Sequence, residues 1–291
     1  MLNVGILFAL GALFAWGFSD FFIQKTSRRA GVIPALLFIG LAGLIFIFPF
    51  VARDIPKIWG DPKNLLLIGL ATLITFFTVL FDFEALKQGK IAIIEPIIGL
   101  ELPITVGLSL VLRGEHLTGT QAIAVLVIFI GIILAIATHA RQLHYHHRIL
   151  ERGVILAGLG AIGLGLTNFV IGLASITVSP LLAIWAIHSL LALICLIYLG
   201  IRKELQKTFL LIFQNPGVIL GEAVFDNLGW ICFASAVIFI PISIATAVSE
   251  SFIVLATLLG IFINKEKLQL HQSFGIIFAI TGILILAYLT P

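Results

Sequence analysis

The sequence predicts an all-α membrane protein, ten transmembrane helices folded as two inverted five-helix repeats around a central cavity. Three observations predict it. Of 291 residues, 60% are hydrophobic and 11% charged, which is more apolar surface than a water-soluble fold can hide. The apolar residues gather into ten runs, most of them close to the roughly 20 residues that cross a hydrocarbon core about 30 Å thick. Finally, the stretch 242–282 repeats the stretch 91–131 in an ungapped register 151 positions later: Glu115 returns as Glu266, Leu117 as Leu268, Gln121 as Gln272 and Gly131 as Gly282. A second echo, 148 positions apart, carries Gly17 to Gly165 and Asp20 to Asn168. Self-similarity at a nearly fixed period marks a duplicated architecture.

The runs cover residues 4–24, 33–52, 65–86, 91–112 and 120–139, then 153–173, 181–200, 217–239, 242–263 and 270–289. The first lacks the positive start and small-residue cleavage site of a signal peptide, so it reads as a retained span. Pro34, Pro62, Pro180, Pro216 and Pro241 stand at or just before first turns, where a missing N–H costs least. Residues 1–139 form the first repeat, 140–152 a polar connection, and 153–291 the second repeat. Because five is odd, the second repeat enters the bilayer from the opposite side, and the two are related by a pseudo-two-fold axis in the membrane plane. Cys195 and Cys232 both fall inside spans, which argues against a disulfide framework.

The loops after spans 1, 3, 5, 7 and 9 hold thirteen Lys and Arg, among them Lys25, Arg28, Arg29, Lys87 and Lys203. The opposite loops hold Arg53, Lys57, Lys63 and Arg113. Thirteen against four places the first group in the cytoplasm and both termini outside. This loop charge accounts for the net +3 and reads as membrane topology, not as a nucleic-acid surface.

Within the spans there is no Lys or Arg, but there are eight carboxylates: Asp20, Asp82, Glu84, Glu95, Glu101, Glu222, Asp226 and Glu250. An acid near the bilayer centre costs roughly 2.5–3.5 kcal/mol on insertion scales, so it usually faces an interior or a wet cavity and marks an ion or substrate path. Glu222, Asp226 and Trp230 lie four apart, so two acids and an aromatic share one helix face. Such a pair is expected to titrate as a unit, which suits proton coupling. Ser243, Thr246, Glu250 and Thr257 make a polar stripe on span 9, with Glu250 near mid-membrane; helix–helix hydrogen bonding is the competing reading. Span 4 carries Pro96 and Pro103 well inside it, and each is expected to free a carbonyl, at Ala92 and Gly99, beside Glu95 and Glu101. Broken helices with freed carbonyls beside acids are cation-site material.

Trp16 and Asp20 share a face of span 1, and Asn168 stands at the Asp20 position of span 6. Inversion is expected to place these two near opposite membrane faces, as paired gate residues. An interfacial Trp with an end-of-helix acid explains span 1 equally well. Trp185 and His188 share a face of span 7, where a buried His is more often structural than a proton carrier. Asp82 and Glu84, near Lys87 and Lys90, read as interfacial salt-bridge partners. His139, His144, His146 and His147 match no closed zinc site, and the connection reads as a solvated linker. No nucleophile elbow, metalloprotease helix or phosphate-cradling glycine loop occurs. Nothing calls for a cofactor or a metal, and the chain does not read as an enzyme.

The duplicated turns, Arg113, Gly114, Glu115, His116 and Leu117 with Gln121 and Gly131, and Asn264, Lys265, Glu266, Lys267 and Leu268 with Gln272 and Gly282, resemble the drug/metabolite transporter superfamily in its ten-helix, EamA-type form. The resemblance covers the whole chain. It implies a basket of spans 1 to 4 and 6 to 9 around a central cavity, spans 5 and 10 at the periphery, and movement of small metabolites by alternating access. It also implies cytoplasmic termini, against the charge count, and a proline in span 9, which this chain lacks; symmetric gating is therefore in question. The expectation is a multi-pass transporter of the cell membrane that moves a small neutral or cationic metabolite, such as an amino acid or amine, with protons as the coupling ion. A base-free interior argues against phosphorylated substrates. The alternatives are an acid-lined pathway for inorganic cations and, from another class, a membrane scaffold or intramembrane enzyme.

Overall fold

The computed structural model describes residues 3–88, 94, 97–136, 147–252, 254–255 and 270–290. Twelve helices account for nearly all of them: α1 (Val4–Ala30), α2 (Val32–Val51), α3 (Pro56–Trp59), α4 (Pro62–Gln88), α5 (Glu101–Leu112), α6 (Gly119–Ile136), α7 (His147–Thr177), α8 (Pro180–Ile201), α9 (Leu205–Gln214), α10 (Pro216–Phe239), α11 (Ile242–Ser249) and α12 (Leu270–Leu289). Seven of these, α1, α2, α4, α7, α8, α10 and α12, are long and apolar enough to cross a membrane. The apolar α5, α6 and α11 occupy the expected spans 4, 5 and 9. Large apolar side chains on the outside, such as Phe46 at 63% and Leu66 at 73% exposed, form a surface suited to lipid and not to water.

Local chemistry sets the helix starts. Asn3 accepts the Gly5 amide at 2.7 Å, Asp61 accepts the Lys63 amide at 2.9 Å beside Pro62, and Ser179 accepts the Leu182 amide at 3.3 Å beside Pro180. Each side chain satisfies a donor that a helix N-terminus leaves unpaired. The loops after spans 2 and 7 carry the short helices α3 and α9, which the sequence expectation left as loops. In α9 a register that buries Thr208 and exposes Phe213 suits an interfacial position.

The packing has the symmetry of the repeat. α1 packs on α10 as α4 packs on α7; α2 packs on α8, α6 on α12 and α5 on α11, so exchanging each helix for its mate reproduces the set. Individual contacts obey the same exchange. A Cβ at Gly131 would lie 2.5 Å from the Ala279 nitrogen, and one at Gly282 would lie 2.5 Å from Ile128 Cγ1; the register of 151 carries one pair into the other. Glycine at these positions lets two backbones approach without a side chain between them. Likewise a Cβ at Gly17 would meet Leu255, and one at Gly165 would meet Ile104.

Both broken spans break at the same register. Leu100 N–H donates to the Ile97 carbonyl at 3.1 Å, and Ser251 N–H to the Val248 carbonyl at 3.3 Å, giving a tight turn at Gly99–Leu100 and at Glu250–Ser251. This differs from the expectation in two ways. Pro103 sits in the first turn of α5, and the Gly99 carbonyl is not freed but accepts Leu102 N–H at 3.3 Å. Ala92 lies outside the described residues. Span 9 breaks without a proline: Ser249 Oγ donates to the Thr246 carbonyl at 3.2 Å and Ser251 Oγ to the Ala247 carbonyl at 2.9 Å, side-chain bonds that compete with the helix ladder.

Candidate functional site

Eight of the membrane helices converge on a cavity whose space, counting its open mouth, is about 770 Å³. Five acids line it: Asp20 from α1, Asp82 from α4, Glu101 at the head of α5, Asp226 from α10 and Glu250 at the end of α11. No Lys or Arg lines it among the described residues. Asn168 of α7, 1% exposed, lies between two of the acids. Its Nδ2 donates to Glu101 Oε2 at 3.3 Å and to Glu250 Oε1 at 3.2 Å, so one amide holds together carboxylates from the two broken spans. The helix termini treat them differently: Glu101 enjoys the positive end of α5, whereas Glu250 faces the negative end of α11.

An aromatic group forms one wall. Trp16 meets Trp230 edge-on at 5.0 Å between ring centroids, and packs on Phe233 at 5.7 Å and Phe252 at 6.4 Å. Trp16 is one turn before Asp20 and Trp230 one turn after Asp226. As α1 and α10 run in opposite directions, both rings lie toward the membrane face where α1 begins, the amino-terminal face. On α1, α2 and α4 the remaining lining residues, Ile23, Leu36, Ile39 and those from Thr75 to Leu86, lie toward the opposite, basic face, where α1 ends at Arg28 and Arg29. The cavity therefore reaches from the middle of the bundle toward the basic face.

At the amino-terminal face Glu115 joins the two repeats. Its Oε1 accepts Ile242 N–H at 2.8 Å, and its Oε2 accepts Ser243 N–H at 3.1 Å and Ser243 Oγ–H at 2.7 Å. Arg113 Nε stands 3.4 Å away. Pro241 at the cap supplies no side-chain acceptor, so the first repeat caps a helix of the second.

The structure brings together most of the expected residues. Glu250, Asp226, Glu101, Trp230, Asp20, Asn168, Trp16 and His188 line the cavity. Glu222 lies one turn outside it, and Glu95 is outside the described residues. Trp185 points elsewhere: its Nε1 donates to the Leu44 carbonyl at 3.2 Å and its ring packs on Phe48. Asp20 and Asn168 were expected near opposite faces; they meet in one cavity because α1 and α7 run past their apolar runs, which moves both positions toward mid-helix. Trp16, 7% exposed, is interior and not an interfacial anchor. Asp82 is a wall residue and makes no salt bridge among the described residues, whereas Glu84 lies 3.3 Å from Lys87; Lys90 lies outside the described residues. The run Thr75, Thr78, Asp82, spaced three and four apart like the stripe on span 9, is the signal that would have found it. Asn227 was also missed. Its Nδ2 donates to the Ile39 and Ala223 carbonyls, which turns Oδ1 toward His188 Nδ1 at 2.9 Å and assigns the ring proton to Nδ1.

Two five-helix repeats, a cavity at their interface and discontinuous helices at its acids define the class of membrane transport proteins built on inverted repeats. The EamA-like transporter family matches this chain twice, over residues 3–137 and 151–288. The chain belongs to that family, and with it to the drug/metabolite transporter superfamily: it is a multi-pass membrane protein of transporter type. An uncharacterized protein of Methanocaldococcus jannaschii is 26% identical over 133 residues, which are 46% of this chain and 96% of that protein. A solved structure described only as a protein superposes over 100% of this chain and 98% of its own, with a TM-score of 0.70 at 16% identity; this likeness is one of fold.

Proposed function

We propose that the chain is a proton-coupled secondary transporter that moves a small neutral or cationic metabolite, such as an amino acid or amine, by alternating access. The observation that carries this reading is the Asn168 bridge between Glu101 and Glu250 in a cavity that no Lys or Arg lines among the described residues. Carboxylates so placed attract an ammonium group, which amines and amino acids share, and disfavour phosphorylated substrates. The Trp16 and Trp230 rings beside them suit the apolar part of the same molecule and offer cation–π contacts. A cavity that reaches one membrane face while aromatic rings and the Glu115 cap close the other fits one of the two states that alternating access requires.

Flux into proteoliposomes tests the reading, with amines and amino acids offered under an imposed pH gradient. Uptake is expected to follow the gradient and to fall in Glu250→Gln and Asp226→Asn. Flux indifferent to the gradient and to both substitutions would overturn the coupling assignment, and flux of inorganic cations alone would replace the organic substrate.

A further inference from the structure

Glu222 has the lowest exposure, 0%, of the acids described, and it does not line the cavity. The donor beside its carboxyl is the Thr26 hydroxyl of α1, and neither group has any other partner among the described residues. An ionised carboxylate with no cation beside it and one hydroxyl as donor is a costly group for a protein interior to hold; the neutral acid, which keeps its proton, carries far less of that cost.

Its position suggests where the proton goes. Glu222 and Asp226 are one helical turn apart on one face of α10, and Asp226 is in the cavity wall. In the other direction α10 opens at Asn215, which accepts a hydrogen bond from Arg29 at the basic end of α1. Glu222 thus stands in the α1–α10 seam, between the basic face and the cavity. Around α10, α1 brings Asp20, Lys25, Arg28 and Arg29, and α2 carries no titratable group. α7 opens with His147, Arg148, Glu151 and Arg152, α8 brings His188, Cys195 and Tyr198, α9 brings Lys207, and α11 ends on Glu250. The charge that bears on Glu222 is that of Asp226.

We propose that Glu222 is the coupling-proton site, separate from the substrate acids: it holds the proton in the α1–α10 seam and passes it to the Asp226 carboxylate. The step is a simple transfer in which the Glu222 O–H bond breaks, an Asp226 O–H bond forms, and the negative charge moves from the seam to the cavity wall. This rests on the transport reading above and divides its labour, with Glu101, Asn168 and Glu250 facing the substrate.

Two measurements test it. Infrared difference spectra of the protein in nanodiscs, taken across a pH step in H2O and 2H2O, are expected to contain a titrating carboxyl band that Glu222→Gln removes. Glutamine has the shape of the neutral acid and is the variant least expected to disturb folding; Glu222→Asp should move the band without abolishing it. A wild-type spectrum unchanged by Glu222→Gln, or a band that answers to sodium and not to pH, would overturn the proposal. The second measurement uses radiolabelled lysine in proteoliposomes. Glu222→Gln is expected to lose pH-driven accumulation while keeping lysine–lysine exchange, and accumulation at the wild-type level would overturn it. If wild-type protein moves no lysine, the result counts against the transport reading, and the infrared measurement still decides whether Glu222 holds a proton.

Discussion

Asn168 is the residue on which the cavity depends most directly. Its amide nitrogen donates to two acids, and hydrogen bonds to charged groups contribute roughly 1.5–3 kcal/mol each. Asn168→Leu keeps the volume but removes the amide that donates to both Glu101 and Glu250. It is expected to lower thermal stability in detergent by about that amount, and Glu250→Gln in the same chain is expected to restore part of the loss because it supplies a new amide. A double-mutant cycle showing independent effects would sink the bridge as a unit. Asn168 was legible in the sequence because the duplication set it opposite Asp20, as Glu250 was because an acid in an apolar run must have a reason. Asp82 was not, because Lys87 and Lys90 lie close in sequence and offer a cheaper partner. Only the path of α4 shows that Asp82 and Glu84, two residues apart, point to different surroundings.

Among the elements, α11 shows how little helix a site requires. It has two turns, too short to be stable alone, and is held by burial along its length and by the Glu115 carboxylate at its start. Removing a capping side chain typically costs about 0.5–2 kcal/mol. Glu115→Ala is expected to reach or exceed that range, since three donors lose their acceptor, and to speed amide hydrogen exchange at Ile242 and Ser243. Unchanged exchange there would mean that the cap does not hold the helix. The sequence identified Glu115 as half of a repeated turn but not its partner, because a carboxylate 127 residues before the helix it caps leaves no local pattern. The break after Ser249 was hidden for a different reason. Proline is the visible helix breaker, whereas the serines of span 9 act through side-chain hydrogen bonds that also occur in unbroken helices.

For the whole molecule, the composition and the register of 151 made the fold legible before any helix was placed. What they left open was depth and direction, since apolar runs mark where a chain is dry and not how far its helices continue. Direction can be measured. In a background lacking Cys195 and Cys232, Leu86→Cys in the cavity wall and Lys203→Cys in the loop after α8 are expected to react with an impermeant maleimide from the same side. The charge count makes that side the cytoplasm, so both should react in inverted vesicles and not in intact cells. Labelling of Lys203→Cys in intact cells would reverse the orientation, and labelling of the two from opposite sides would reverse the opening of the cavity. α11 ties these scales together. Eight residues at about 1.5 Å each make a stiff rod of roughly 12 Å, fastened at one end to Glu115 and ending at the other on Glu250. A rod cannot shift at one end alone, so the Glu115 contact at the far membrane face and the place of Glu250 in the cavity wall are one mechanical variable; on the transport reading proposed above, cargo that moves Glu250 also pulls on that contact.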